Sequence, residues 1–352
     1  SGFEEAAVLV VDGLGSGLNT QSLFYMNGDE CREIDRGFNW GIGRLYSMVT
    51  GMILPYGPEK GFGKVMGLAP YGENEQGPVL DFCSQDNGMT TDYSNYFTRF
   101  PIPRFINKNI KQCEDREQAM QPYFARAAYD VQKECERQLV RMARYAYEKT
   151  KCKKLCIAGG VALNGAANLR ILEETQIEDV WIPPGCSDTG VYLGLALWGC
   201  FQIVRKVNTP PVTIKMDNAY TGHSYPKSET KDLLHEFGIE YSDCDINEMG
   251  TLVADGKILA WFEGGSESGP RALGHRSIIA DPRGPNMKDY LNDSIKFRES
   301  YRPYAPSILL EEMDEWLELD RPSPFMLLLP KVREDKRTIV PAITHIDGTT
   351  RP

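Results

Sequence analysis

The sequence predicts an α/β protein, and three observations carry that prediction. An apolar strand, "AVLVV" (Ala7 to Val11), runs straight into the turn Asp12-Gly13-Leu14-Gly15. The same design returns in "KLCIAGGVALNG" (Lys154 to Gly165), a strand, a Gly-Gly turn and the start of a helix. Between them, residues 117 to 147 place apolar side chains at helical spacing over a long stretch. Glycines at strand ends permit tight turns and close backbone approach, and open sheets bind ligands there.

Taken in order, a third turn, "PPGCSDTGVYLGLALWG" (Pro183 to Gly199), leads into a helix of small and apolar residues. After Val204 the chain turns polar around Pro210-Pro211, which marks a linker and places a domain boundary near residue 208. Beyond it, "LLHEFGIEY" and "INEMGTLVADG" read as helices, "KILAWFEG" (Lys257 to Gly264) as a buried strand and "MKDYLNDSIKF" as a helix. The domains expected are therefore 1–208 and 209–352.

Composition excludes several classes. With 352 residues and a net charge of −10, the chain is too acidic for a general nucleic-acid surface. No apolar run approaches the roughly 20 residues of a membrane span, and the first residues show no signal-peptide pattern, so a cytoplasmic location is expected. Nine cysteines, none in CxxC spacing, read as reduced thiols, several of them in the core.

Candidate chemistry falls in two groups. Asp12, Gly159-Gly160 and Asp188 lie in the three strand-end turns, where backbone N–H groups cradle phosphates and carboxylates hold a metal or its waters. Lys64 in "GFGKVMGLAPYG" follows glycines without Walker spacing, which favours an actin- or sugar-kinase-type nucleotide site over a P-loop. The second group is basic: Arg271, Arg276, Arg283, Lys296, Arg298 and Arg302 crowd a short region of an acidic chain. Guanidinium forks bind phosphate or carboxylate bidentately, so a converging set suits a small dianion or a triphosphate. The competing reading is a solvated face paired with Asp281, Asp293 and Glu299. His275 and His345 are acid–base candidates, although a lone histidine is more often structural.

"VDGLGS", "GFGKVMGLAPYG", "GGVALNGAANLRI", "PPGCSDTGVYLGLAL", "FEGGSESGPRALGHRSIIADPR", "LNDSIKFRESYRPYAPS" and "DGTTRP" together resemble the ATP-dependent O-carbamoyltransferases, a family with antibiotic-tailoring and nodulation-factor members. The resemblance runs in order along nearly the whole chain. It implies an actin-like (ASKHA) transfer domain followed by a YrdC-like domain, both incomplete. The second would make carbamoyladenylate from carbamoyl phosphate and ATP, and the first would pass the carbamoyl group to an acceptor hydroxyl on a small molecule.

The resemblance further implies that Arg271, Lys296, Arg302 and Arg351 handle the reacting anions, while Arg276, Arg283 and Arg298 brace loops. Asp12, Gly13, Lys64, Gly159, Gly160 and Asn164 would serve the nucleotide, and Asp188 a metal, with ATP, Mg2+ and Fe2+ or another divalent ion as cofactors. Family members carry a His-x-x-x-His pair before the "VDG" strand and an Asn-Thr-Ser-Phe-Asn segment after "TTRP", and this chain has neither. Glu263, Gly265, Ser268 and His275 stand where relatives often have Gln, Arg, an aromatic and Asn. The implied partners are carbamoyl phosphate and a hydroxyl-bearing acceptor, with no nucleic acid and no membrane; a homo-oligomer is compatible with the sequence. Two other readings are an actin-fold small-molecule kinase and a noncatalytic nucleotide-binding relative.

Overall fold

The computed structural model describes residues 1–28, 30–38, 40–54, 61–77, 80, 82, 84–93, 113–115, 118–206 and 215–352. The expected linker around Pro210-Pro211 lies outside them. The architecture is mixed α/β.

Its centre is a five-stranded mixed sheet. The strands β1 (Glu5–Val11), β2 (Asn19–Asn27) and β3 (Glu30–Phe38) form an antiparallel meander, and β6 (Lys154–Ala158) and β7 (Asp179–Trp181) extend it in parallel, giving the order β3-β2-β1-β6-β7. A small hairpin, β4 (Gln85–Asn87) and β5 (Thr90–Asp92), forms its own two-stranded ladder and is tied to the sheet by Gln21 and Asp35. In β1, Ala7, Leu9 and Val11 are fully buried, and Leu9 sits opposite Leu23 on one side and Ile157 on the other. Parallel register between β1 and β6 brings the two predicted glycine turns side by side.

Helices cover the sheet. Those of the first half are α1 (Ile42–Ile53), α2 (Phe62–Leu68), α3 (Pro122–Thr150), α4 (Gly165–Glu174) and α5 (Val191–Lys206). The long predicted helix is α3. It starts on a proline, suited to a first turn that lacks intrahelical N–H partners, and buries Ala125, Ala128, Val131, Leu139, Ala143 and Ala146. Small side chains along this stripe permit close packing on its neighbours.

The later part of the chain adds α6 (Lys227–Glu236), α7 (Ile246–Ala254) and the antiparallel pair β8 (Leu259–Phe262) and β9 (Arg276–Ile279). Two expectations need correction here. The strand "KILAWFEG" is shorter and only half-covered, with Phe262 62% exposed, because β9 is its one strand partner among the described residues. The helix expected over "MKDYLNDSIKF" is a single α turn at 287–290 that widens into a π turn at 291–296 and ends on left-handed Phe297.

Tyr301, Phe325 and Leu327 join the main core beneath the sheet, so the later part of the chain packs into the earlier part. Asn168, fully buried on α4, ties them together by donating from Nδ2 to the carbonyls of Ala162 and Leu327 at 2.8 and 3.0 Å. A smaller cluster holds Met313, Leu317, Leu328, Val332 and Val340. Of the nine cysteines, the eight within the described residues are free, and Cys113, Cys135, Cys152 and Cys186 are buried. None of the described helices is long and apolar enough to cross a membrane.

Candidate functional site: an arginine-walled cavity beside the strand-end turns

The two glycine turns meet at the carboxyl ends of β1 and β6. Gly159 has φ +92°, and a side chain there would drive a Cβ to within 2.1 Å of the Val11 carbonyl oxygen. Only glycine lets the two strand ends approach this closely. A Cβ on Gly160 would stand 3.1 Å from Asp12 Oδ1, so the Asp12 carboxylate faces the Gly159-Gly160 turn. Asp12 Oδ1 also accepts from the N–H of Gly13 at 2.7 Å.

Asn164 is placed differently from what ligand binding would favour. It caps α4, accepting from Ala167 N at 3.1 Å, and its amide exchanges two hydrogen bonds with Gln132 of α3. Asp188 is exposed at the turn before α5. Among the described residues no group of three or more His, Cys, Asp or Glu side chains converges, there or elsewhere. The described residues therefore do not by themselves form a metal centre at Asp188.

The loop 267–276 packs against these turns. Glu267 Oε1 accepts from the backbone N–H groups of Leu273, His275 and Arg276 at 2.9, 2.8 and 3.0 Å, which folds the loop around one carboxylate. Burial raises the pKa of that carboxylate, yet the backbone donors outweigh it and hold it below the usual range. The loop is also pinned from outside: Ser268 Oγ lies 2.7 Å from Tyr192 Oη, and Gly269, at φ +100°, abuts the Pro184 carbonyl. Cys186 lies between the two regions, its thiol pushed up to about 12 by burial while feeling both Arg271 and Asp12.

Arg271 thereby enters a cavity of about 590 Å³ between α2, α3 and α4 on one side and the later part of the chain on the other. Arg298, Arg302 and Arg351 line the same cavity. The lining includes seven cationic and five acidic residues, a positive balance in an acidic chain. Arg271 Nε, Arg351 Nε and Thr350 Oγ1 are buried without a hydrogen-bond partner. Burial and the facing Arg271, Arg302 and Arg298 push the Arg351 guanidinium down to about 9. Burial and Arg302 likewise lower Arg298, and burial, partly countered by Cys186, lowers Arg271. Buried donors facing like charges suit an anion.

The other basic residues separate cleanly. Arg276 lies on the Phe262 ring at 3.6 Å and donates to the carbonyls of Glu263, His275 and Gly264. Arg283 forks onto Asp281. Both therefore brace their loops. Arg298 does both jobs: its Nε donates to Asn292 at 2.7 Å and its guanidinium covers Tyr304, while it also lines the cavity. Lys296 is exposed at the end of the π turn and is not part of the cavity wall. Lys64 does not line it either; its Nζ donates to Glu299 Oε1 at 2.7 Å.

The histidines take structural positions. His275 stacks on Tyr220 with ring centroids 3.4 Å apart, and its Nδ1 meets the Gly265 carbonyl at 2.7 Å. His345, 8% exposed, lines the cavity and donates from Nε2 to the Gly67 carbonyl at 2.8 Å. Its buried Nδ1 lacks a partner, and burial lowers its pKa. At position 265 the glycine is required by space, since a Cβ would lie 2.5 Å from the Gly222 carbonyl oxygen. An arginine there would have to displace that backbone.

Sequence comparison gives this geometry its context. Residues 1–197 match the family model described as carbamoyltransferase N-terminus, and residues 250–352 match carbamoyltransferase C-terminus. This chain belongs to the carbamoyltransferase family. It is 34% identical over 363 residues to nodulation protein NolNO of Sinorhizobium fredii, covering all of this chain and 52% of the relative. It is 32% identical over 368 residues to nodulation protein NolO of Bradyrhizobium diazoefficiens, covering all of this chain and 64% of the relative. An uncharacterized Synechocystis protein is 34% identical over 392 residues, with 62% of its length covered. The chain thus spans between 52% and 64% of the length of these relatives. The arginine cavity draws Arg271, Arg298, Arg302 and Arg351 from the C-terminal family segment and its opposite wall from the N-terminal one.

Proposed function

We propose that this chain is the catalytic portion of an ATP-dependent O-carbamoyltransferase. On this reading the sheet-bearing half is an actin-like transfer domain and the arginine-bearing half a YrdC-like adenylating domain. The observation that carries the reading is the wall of Arg271, Arg298, Arg302 and Arg351, with two guanidinium Nε atoms buried and unpartnered.

Carbamoyl phosphate is a small dianion, and the chemistry proposed for it keeps negative charge in one place. Water cleaves it to carbamate and phosphate. A carbamate oxygen then attacks the α-phosphorus of ATP, the α–β anhydride bond breaks, and pyrophosphate leaves with the electron pair. Fixed guanidinium groups favour each stage by facing charge that shifts among phosphate oxygens. Magnesium accompanies the ATP phosphates.

The transfer step follows the same logic. An acceptor hydroxyl oxygen attacks the carbamoyl carbon, its proton leaves to solvent, and AMP departs. Asp12 with Gly13 and the Gly159-Gly160 turn is the proposed place for the nucleotide, because turn N–H groups suit its phosphate. The acceptor is proposed as a hydroxyl-bearing small molecule.

The test supplies ATP, magnesium and carbamoyl phosphate and follows products by mass spectrometry. AMP, pyrophosphate and carbamoyladenylate that depend on carbamoyl phosphate support the reading. ADP with a phosphorylated acceptor would replace it with a kinase. Absence of all these products would remove adenylation from this chain.

A further inference from the structure

Arg302 has an acidic neighbour that is held away from it. The Glu299 side chain is 2% exposed; its Oε1 accepts from Lys64 Nζ at 2.7 Å, while Oε2 stands 3.8 Å from Arg302 Nη1, buried and without a hydrogen-bond partner. The distance to Arg302 is too long for a hydrogen bond. Lys64 reaches Glu299 from α2, in the other half of the chain, and is itself 17% exposed.

A buried carboxylate requires a cation, and two compete for this one. As long as Lys64 holds Oε1, the Arg302 guanidinium is left to the cavity. Without Lys64, the arginine already at 3.8 Å is the next partner, and a guanidinium fork pairs with a carboxylate bidentately. Such a pair would consume the donors that the cavity presents to an anion. The surrounding segment cannot easily turn away, because fully buried Asn292 clasps it by donating to the carbonyls of Ser300 and Arg302 and accepting from Arg298.

We propose that Lys64 is a positioning residue: by holding Glu299 it keeps Arg302 available to the anion, and so makes the arginine wall depend on α2 of the opposite half. The proposal rests on reading the cavity as an anion site. It gives a role to a lysine that does not line the cavity, although its helix neighbours Gly63, Met66 and Gly67 do.

Titration calorimetry of the chain with inorganic pyrophosphate, at fixed pH and salt, separates the two ideas. Lys64→Met should weaken binding about tenfold or more, the scale of losing one buried charge partner. Glu299→Gln, which removes the competing acid, should bind as well as wild type or better. The double variant should then recover to within about threefold of Glu299→Gln, because no acid remains to compete for Arg302; coupling of this kind is what a shared network produces. Lys64→Arg, which keeps a cation for Glu299, should retain affinity. Losses that simply add in the double variant, or a Lys64→Met chain that binds like wild type, would overturn the positioning role while leaving the anion site standing. A wild-type chain that does not bind pyrophosphate would overturn the anion-site reading and the positioning role together.

Discussion

Asn164 and Gln132 face each other across the junction of α4 and α3 and exchange two hydrogen bonds, at 2.9 and 3.0 Å, while Asn164 also caps α4. The amide is fully committed to the fold. Asn164→Ala should therefore lower the unfolding free energy by about 2–3 kcal/mol, combining a lost cap with a stranded glutamine. Urea denaturation reads it directly; a loss of nucleotide affinity with no loss of stability would instead make Asn164 a ligand contact.

Arg351 calls for the opposite sign. Its guanidinium is enclosed with Arg271, Arg298 and Arg302, so in the ligand-free chain it opposes folding. Arg351→Met should raise ligand-free stability by about 1–2 kcal/mol and abolish the stabilisation that pyrophosphate gives wild type. Thermal melts with and without pyrophosphate test both halves, and a variant that melts lower without ligand would refute the sign.

The lowered pKa of Arg351, about 9, also predicts a proton effect. A guanidinium lowered to about 9 would be partly neutral near pH 9, and an entering anion would favour the return of its proton. Anion binding should take up protons near pH 9 and take up none through this group at pH 7. Calorimetry in two buffers of different ionisation enthalpy measures the uptake, and a pH-independent result would contradict it.

His345 sets the acid side. Its folded pKa is depressed by burial, so the unfolded chain binds the proton more readily as pH falls below the ordinary histidine value of about 6.5. Its stability contribution is therefore complete above that value and declines as pH drops towards the folded pKa. His345→Gln should flatten part of the slope of unfolding free energy below about pH 6.5; an unchanged slope would count against it.

Gly159 sets a steric limit. Gly159→Ala adds a Cβ 2.1 Å from the Val11 carbonyl oxygen in a left-handed backbone, and should cost about 3 kcal/mol or more. A denaturation midpoint equal to wild type would mean the two strand ends can move apart.

The sequence made some parts of this arrangement plain because local chemistry encodes them. β1, β6 and α3 announce themselves by apolar runs and helical periodicity, and the strand-end glycines by the turns they allow. Arg271, Arg302 and Arg351 were legible through family resemblance. The hairpin β2–β3 was not, since β3 reads "ECREIDRGF" and presents mostly polar residues at the sheet edge. Nor could spacing reveal that Lys64 and Glu299, 235 residues apart, form a pair. The half-covered β8 looked buried because "ILAWF" is apolar whether or not a neighbour covers it. Arg298 belongs to the same class: one side chain both braces Asn292 and borders the cavity, and only packing shows the second role.

The three backbone donors gathered by Glu267 carry a kinetic meaning. A loop folded around its own carboxylate offers Arg271 in one arrangement before any ligand arrives, so little ordering remains for the moment of contact. Capture would then be governed by diffusion and by the attraction of the cationic wall for an anion approaching an otherwise repulsive, acidic protein. Raising ionic strength should slow that arrival more than it hastens departure, and loosening Glu267 should reverse the balance by making the first encounter unproductive.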